Sequence, residues 1–406
     1  MEKTIKRILC LNIVLIGLYI GSGMMGFQPA KNYNDQNNDI NVIISDPPLW
    51  MNEPIQAAPT DFVSTWNTSA LSTASSGSNQ IKLPLEVSGD YDFTIGWGDL
   101  SFDTITSWNQ AEVTHTYTSE GVYTIIISGT IRGWCFNSSG DKAKLVEISQ
   151  WGELNFGNSS SYFCGCVNLQ LTAIDSPDLS GTTSLRRAFL SCESLGSHGN
   201  MNEWDVSRVI NMRHMFYFAI DFNQNIRGWD VSKVTDMHEM FYDAFLFNQS
   251  IIDWDTSSVT NMGGMFARAP LFNQDIGEWD VSSVTDMSYM FYITESFDQN
   301  IGRWNVSNVA DMENMFEYAA LSTANYDGLL QGWAKLSLQN GVKFDAGYSQ
   351  YSSKASGDRQ SIIDNYGWVI TDEGLVTGGI LGYPFEFLVA SIGAAVFLIH
   401  RRKSDI

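Results

Sequence analysis

The chain has 406 residues, 45 acidic against 23 basic, and a formal net charge of −22 at pH 7. That balance argues against a nucleic-acid binder, because phosphates want a basic face. It suits simple solubility, and beyond that a saline or cation-rich surrounding. No G-x-S-x-G, H-E-x-x-H or P-loop sequence is present, so no residue is assigned to catalysis or metal binding.

Residues 1–27 read as an export signal. Lys3, Lys6 and Arg7 open it, 8–20 is apolar apart from Asn12, and Gly21, Ser22 and Gly23 supply small residues. An uncleaved anchor is the alternative. Residues 28–60 are rich in Asn, Asp, Pro and Gln without periodicity and read as a disordered spacer. From 61 to 147 the pattern is β. Residues 82–87 alternate, and 91–97 and 121–128 are aromatic and β-branched, bounded by Gly, Asp and Ser. Within this stretch Ile95-Gly96-Trp97-Gly98-Asp99, His115-Thr116-Tyr117 and Gly121-Val122-Tyr123-Thr124-Ile125 resemble the series found in PKD-type β-sandwich domains. Leu100 stands where that family usually has glycine. Asp99 and His115 are read as turn and strand residues, a metal or catalytic role being the alternative.

Residues 148–320 are governed by a period of 25. Trp204, Trp229, Trp254, Trp279 and Trp304 keep it, as do Met212 to Met312, Met215 to Met315 and Phe216 to Phe316. Such a period marks one small unit that buries its apolar side against its neighbours. Weaker matches at Asp178-Leu179-Ser180, Leu185, Ala188-Phe189 and Phe163 extend it toward residue 148, giving about seven copies with atypical first ones. Met237, Met240 and Phe241 stand at i, i+3 and i+4, which predicts one or two turns of helix capped by Asp236. Ile226, Trp229 and Val231 predict a short strand before it. The tryptophans are read as core. The rival reading is an exposed aromatic stripe that stacks on sugar rings.

Three further columns bear on function. Asp205, Asp230, Asp255 and Asp280, followed by Asn305, are read as turn formers bonded to the next amides, with a calcium ladder as the alternative. Cys166 and Cys192 fall in a slot that later holds alanine, which reads as buried thiols; a Cys166–Cys192 bridge is the alternative, and the state of Cys135 and Cys164 stays open. Arg213, His238, Gly263, Ser288 and Glu313 share a variable position on a solvated face, and Arg213, His238, Ser288 and Glu313 are the candidate ligand-facing residues. Sequons at Asn67, Asn137, Asn158, Asn248 and Asn305 are compatible with glycosylation.

Past the period, 321–371 read as a small α/β cap. A helix capped by Ser322 runs to about residue 335, followed by strands around 342–344 and 368–370 and a second helix at 361–366. Residues 372–379 are a linker. The apolar stretch 380–400 is predicted to be one transmembrane helix, with Arg401, Arg402 and Lys403 in a cytoplasmic tail, 401–406. Gly382-Tyr383-Pro384, the apolar run and the basic tail resemble the C-terminal anchoring segments of archaeal surface proteins.

The expected fold class is therefore α+β. A β-sandwich-like N-terminal domain (61–147) precedes a leucine-rich-repeat-like solenoid of about seven coils (148–320), each a short strand plus a short helix. A small α/β C-terminal cap (321–371) and one transmembrane helix follow. Trp229-Asp230-Val231-Ser232-Lys233-Val234-Thr235-Asp236-Met237 and Met240-Phe241, with their sister copies, resemble the repeat of the BspA-like leucine-rich-repeat surface proteins. The resemblance implies a cell-surface repeat protein used for adhesion or recognition of an extracellular protein or glycan; the export signal, the apolar run and the basic tail add the expectation of a single-pass cell-membrane protein with its bulk extracellular. It implies no chemistry and no cofactor; calcium is the one cation the Asp column raises. A structural surface-layer or stalk component without a ligand is the alternative, and a glycoside-active enzyme the remote one.

Overall fold

The computed structural model describes residues 57–376. The signal (1–27), nearly all of the spacer, the predicted span (380–400) and the basic tail lie outside the described residues.

The first described part is a sheet. Its strands are β1 (Phe62–Asn67), β2 (Gln80–Lys82), β3 (Leu85–Gly96), β4 (Phe102–Ile105), β5 (Thr114–Thr116), β6 (Val122–Trp134), β7 (Leu145–Gln150) and β8 (Gln170–Leu171). Period-two alternation builds it: Tyr91, Phe93 and Ile95 are buried while Asp92 and Thr94 between them are exposed. The order β4-β3-β6-β1-β7-β8 forms six strands, and β2 pairs with β5 in a second, two-stranded sheet. Pairing is antiparallel from β4 to β7 and changes to parallel between β7 and β8. The six-stranded sheet thus runs across residue 147 into the repeats.

The PKD-like residues form one packed corner. The Trp97 ring stacks on His115 at 4.8 Å, the Tyr117 hydroxyl donates to the Trp97 carbonyl at 2.9 Å, and His115 Nε2 lies 2.9 Å from Asp99 Oδ2. Leu100 adopts φ +72° with its side chain 90% exposed. The turn keeps the left-handed conformation that glycine would supply, on a residue with a Cβ.

From residue 132 onward the backbone is held by parallel bridges. They link Arg132, Asn155 and Asp178, then Ser184, Asn211, Asp236, Asn261, Asp286 and Asp311. Met312 bridges Phe344 in β9 (Lys343–Asp345), and β9 pairs in parallel with β10 (Val369–Thr371). In each regular copy, alternate amides donate to the next copy. The Met237, Glu239, Phe241 and Asp243 amides reach the Asn261, Gly263, Met265 and Ala267 carbonyls at 3.0, 2.8, 2.9 and 3.0 Å.

The M-x-x-M-F segment is a run of β-turns. The Met240 amide donates to the Met237 carbonyl at 3.1 Å, and the Ala244 amide to the Phe241 carbonyl at 3.0 Å. The third residue of each turn has positive φ, 52° at Glu239 and 55° at Asp243, as type II geometry requires. Sister positions repeat it at His214, Gly264, Tyr289 and Asn314, and at Phe218, Arg268, Ile293 and Tyr318.

The fold-class expectation is corrected accordingly. The described residues are mostly strands and turns with two α-helices, α1 (Thr323–Trp333) and α2 (Ser356–Tyr366), both C-terminal to the repeats. No described copy carries an α-helix, and Ile226, Trp229 and Val231 lie in turn and irregular backbone rather than in the expected strand, so the strand-plus-helix coil of a leucine-rich-repeat-like solenoid does not close. Among the described residues no helix is long and apolar enough to cross a membrane. The expected transmembrane helix, and the single-pass localisation that rested on it, are not carried forward.

Each copy stacks on its own image. Phe189, Phe216, Phe241, Phe266, Phe291 and Phe316 form a column with successive centroids 5.8, 5.6, 5.7, 5.9 and 5.1 Å apart. Phe222, Phe247, Phe272 and Phe297 form a second column. The five tryptophans are buried, and Trp229, Trp254, Trp279 and Trp304 donate Nε1–H to the carbonyls of Met201, Ile226, Ile251 and Ile276 at 2.6, 3.1, 3.1 and 2.9 Å. Burial and that bond exclude the exposed-stripe reading. A single core cluster extends from Phe62 to Trp368. Cys135, Cys164, Cys166 and Cys192 are free; Cys166 and Cys192 are fully buried, and burial pushes both thiols well up.

At the far end α1 begins after Ser322, whose Oγ accepts the Asn325 amide at 3.4 Å, and it buries Tyr326, Leu329, Leu330 and Trp333. It meets the last copy through glycines: a Cβ on Gly332 would lie 1.8 Å from the Gly302 carbonyl.

Trp254→Ala is expected to cost about 3–5 kcal/mol, the range for a buried large aromatic, read from the urea midpoint. Leu100→Gly is expected to raise stability by roughly 0.5–1 kcal/mol, since left-handed strain outweighs glycine's extra chain entropy. A lower midpoint for Leu100→Gly would show that the turn is not strained.

Candidate functional site

The turn run places its side chains on one face of the stack. Arg213, His238, Gly263, Ser288 and Glu313 fall in one column, because each has its carbonyl engaged by the preceding copy. Their amides are fixed as well: they donate to Oδ1 of Asn211, Asp236, Asn261, Asp286 and Asp311 at 2.9, 3.0, 2.9, 2.9 and 2.9 Å. The residues expected to cap helices thus cap turns. Backbone geometry is constant along the column while side chains vary.

The structure does not keep all four predicted residues equivalent. Glu313 is exposed, and Arg213 and Ser288 are partly buried. His238 is half-buried and belongs to a cluster that the solvated-face reading missed. His214 Nε2 lies 2.9 Å from Glu239 Oε2, and His238 Nε2 lies 3.6 Å from Glu239 Oε1. His214 and Glu239 occupy the same left-handed turn position one copy apart, so their side chains leave the backbone side by side. His214 is only 9% exposed, and neither of its ring nitrogens nor His238 Nδ1 has an aligned hydrogen-bond partner. Burial, then the Arg213 charge, pushes the His238 imidazole below its usual value, and the His214 imidazole beside Glu239 holds that carboxyl down. Applying the 25-residue offset to His214 would have paired it with Glu239 from sequence alone.

Beside the cluster runs a row of tyrosines. Tyr217 and Tyr242 stack at 4.7 Å, and His214 meets Tyr217 at 5.5 Å. Farther along, Tyr289 packs edge-on against Tyr292, Tyr292 against Tyr318, and Tyr318 against Tyr348. Tyr289 is 44% and Tyr318 48% exposed. Arg268 Nε pairs with Asp243 Oδ1 at 2.8 Å within the same row of turns.

The Asp column lies elsewhere on the surface and is internally satisfied. Oδ1 of Asp205, Asp230, Asp255, Asp280 and Asn305 accepts the amide two residues on, at 3.1, 3.1, 3.1, 2.9 and 3.3 Å. The following serines hold the Asp205, Asp230 and Asp280 carboxyls below their usual value, by hydroxyl first and amide second. With folded values depressed, this contribution is present above the unfolded pKa and is lost as pH falls through the folded values. Changing the three to Asn, which the column already carries at Asn305, is expected to flatten the acid limb of the stability–pH curve below about pH 4. Urea midpoints taken across pH 2–6 test this, and an unchanged acid limb would remove the electrostatic role.

The repeats match a protein family. Residues 157–254 and 227–333 match the family described as "Mycoplasma protein of unknown function, DUF285". Together they cover less than half of the 406 residues. No curated protein and no solved structure matches the chain. In its repeats the chain is similar to DUF285, which is consistent with a BspA-like repeat surface protein.

Proposed function

We propose that the chain is a surface repeat protein that recognises an extracellular protein or glycan through the tyrosine-bearing turn face, and that it is not an enzyme. The observation that carries this reading is the row of Tyr289, Tyr292, Tyr318 and Tyr348, exposed at Tyr289 and Tyr318 and partly buried at the other two, next to a column of differing side chains on an invariant backbone. Tyrosine offers a large contact area at low entropic cost and is enriched at binding surfaces. Its ring face also stacks on the apolar face of a sugar. Arg213, Ser288 and Glu313 supply polar contacts of both signs along the same run.

A rigid backbone supports the reading as well. Every amide in the variable column is bonded to a side chain of its own copy, so ligand contacts would cost little ordering. The acidic balance of the chain disfavours nucleic acid as the partner.

The test is binding of the purified full chain to a glycan array and to whole cells, with Tyr289→Ala and Tyr318→Ala compared. Both side chains are substantially exposed, so thermal unfolding should move little while binding weakens at least tenfold, about 1.4 kcal/mol. If the wild-type chain binds nothing and assembles into ordered sheets, a structural surface-layer role replaces this one.

A further inference from the structure

We propose that His214, His238 and Glu239 form a binding site for one divalent first-row transition ion of the zinc class, shared between two adjacent copies. This goes beyond the recognition reading and stands independently of it.

Geometry comes first. One ligand atom from each of the three residues lies within 4.8 Å of the others. The two closest approaches to Glu239, 2.9 Å from His214 and 3.6 Å from His238, bracket the roughly 3.4 Å between two ligands of a tetrahedral centre with bonds of about 2.1 Å. Small rotamer adjustments would therefore close the site. Two imidazoles and one carboxylate are an N/O set that suits zinc, cobalt, nickel or copper. Calcium and magnesium prefer oxygen alone. Three protein ligands leave one position of a tetrahedral centre open.

The second observation is that the imidazoles lack other partners. His214 is nine-tenths buried; its Nδ1 has no partner and its Nε2 has only the unaligned contact with Glu239, a costly state for a polar side chain unless something bonds it. His238 Nδ1 is likewise unpaired and faces a space kept open by Gly263. A Cβ there would stand 3.0 Å from His238 Nδ1 and 3.1 Å from Asp286 Oδ2. With Nε2 turned toward Glu239, His238 would present Nδ1–H to the Asp286 carboxylate. That is the outer-shell carboxylate–histidine arrangement that orients metal ligands. Gly263 is the glycine of a column that otherwise holds Arg, His, Ser and Glu.

The sister copies supply substitutions that the fold already accepts. His238→Ser copies Ser288, and His214→Asn and Glu239→Asn copy Asn314. Asp286→Asn copies Asn261. Untagged full-length protein, stripped with chelator, is titrated with zinc chloride by calorimetry, and bound metal is counted by mass spectrometry. The expected result is one zinc per chain and a rise in unfolding temperature with added zinc. His214→Asn, His238→Ser and Glu239→Asn should each weaken binding at least tenfold while leaving unfolding in chelator unchanged. Asp286→Asn should weaken it about 10- to 100-fold, and His198→Ala, at an exposed position, not at all. Cobalt in place of zinc should give the visible absorption of a four-coordinate N/O site. The proposal is overturned if zinc leaves the unfolding temperature unchanged. It is equally overturned if zinc binding survives the His238→Ser/Glu239→Asn double variant, or if calcium competes on equal terms.

Discussion

Everything past the first sheet depends on one interaction, the backbone amide of one copy donating to the carbonyl 24 residues on. Four such bonds join each regular pair of copies, between 237–243 and 261–267 for example. Each contributes a net of about 0.5–1.5 kcal/mol, but their larger effect is positional. They are parallel, so every residue is set over its own equivalent. Phe241 must lie on Phe216 and Trp254 on Trp229, because the ladder permits no other register. The side-chain bonds reinforce it: Asn223, Asn248 and Asn273 each accept through Oδ1 the amide of the next residue in their column, at 3.0 Å.

Stacking like on like favours apolar columns and penalises charged ones. Where the surface column carries aspartate, each carboxylate is occupied by its own serine amide. Where it carries no such bond, the residues change from copy to copy, as Arg213, His238, Gly263, Ser288 and Glu313 do. Variation on that face is thus a consequence of the ladder as much as a record of any ligand. The same alignment brings His214 against Glu239, residues of opposite tendency in one column.

The period, the burial of the tryptophans and the turn-forming role of the Asp column were legible in the sequence, since each follows from spacing and residue type. The conformation of the M-x-x-M-F segment was not. Buried residues at Met237, Met240, Phe241 and Ala244 stand at i, i+3, i+4 and i+7, which both an α-helix and a run of four-residue turns would place inside. What separates the two is the positive φ at Glu239 and Asp243. Only Gly264 advertises it; its sister positions hold His, Glu, Tyr and Asn. In the candidate site, His238 was singled out for its variable column, but as a solvated residue. Its partners stand one column over, and burial between two turns is a property of the stack that no single copy displays.

The ladder also fixes how the stack would answer a pull. Its bonds run along the stacking direction, so tension applied through the two ends is carried in series by every row of bonds, and the weakest row gives first. Release would then proceed copy by copy, each freed segment of 25 residues adding roughly 80 Å of slack. A stack built this way would lengthen under load in steps of one copy rather than all at once.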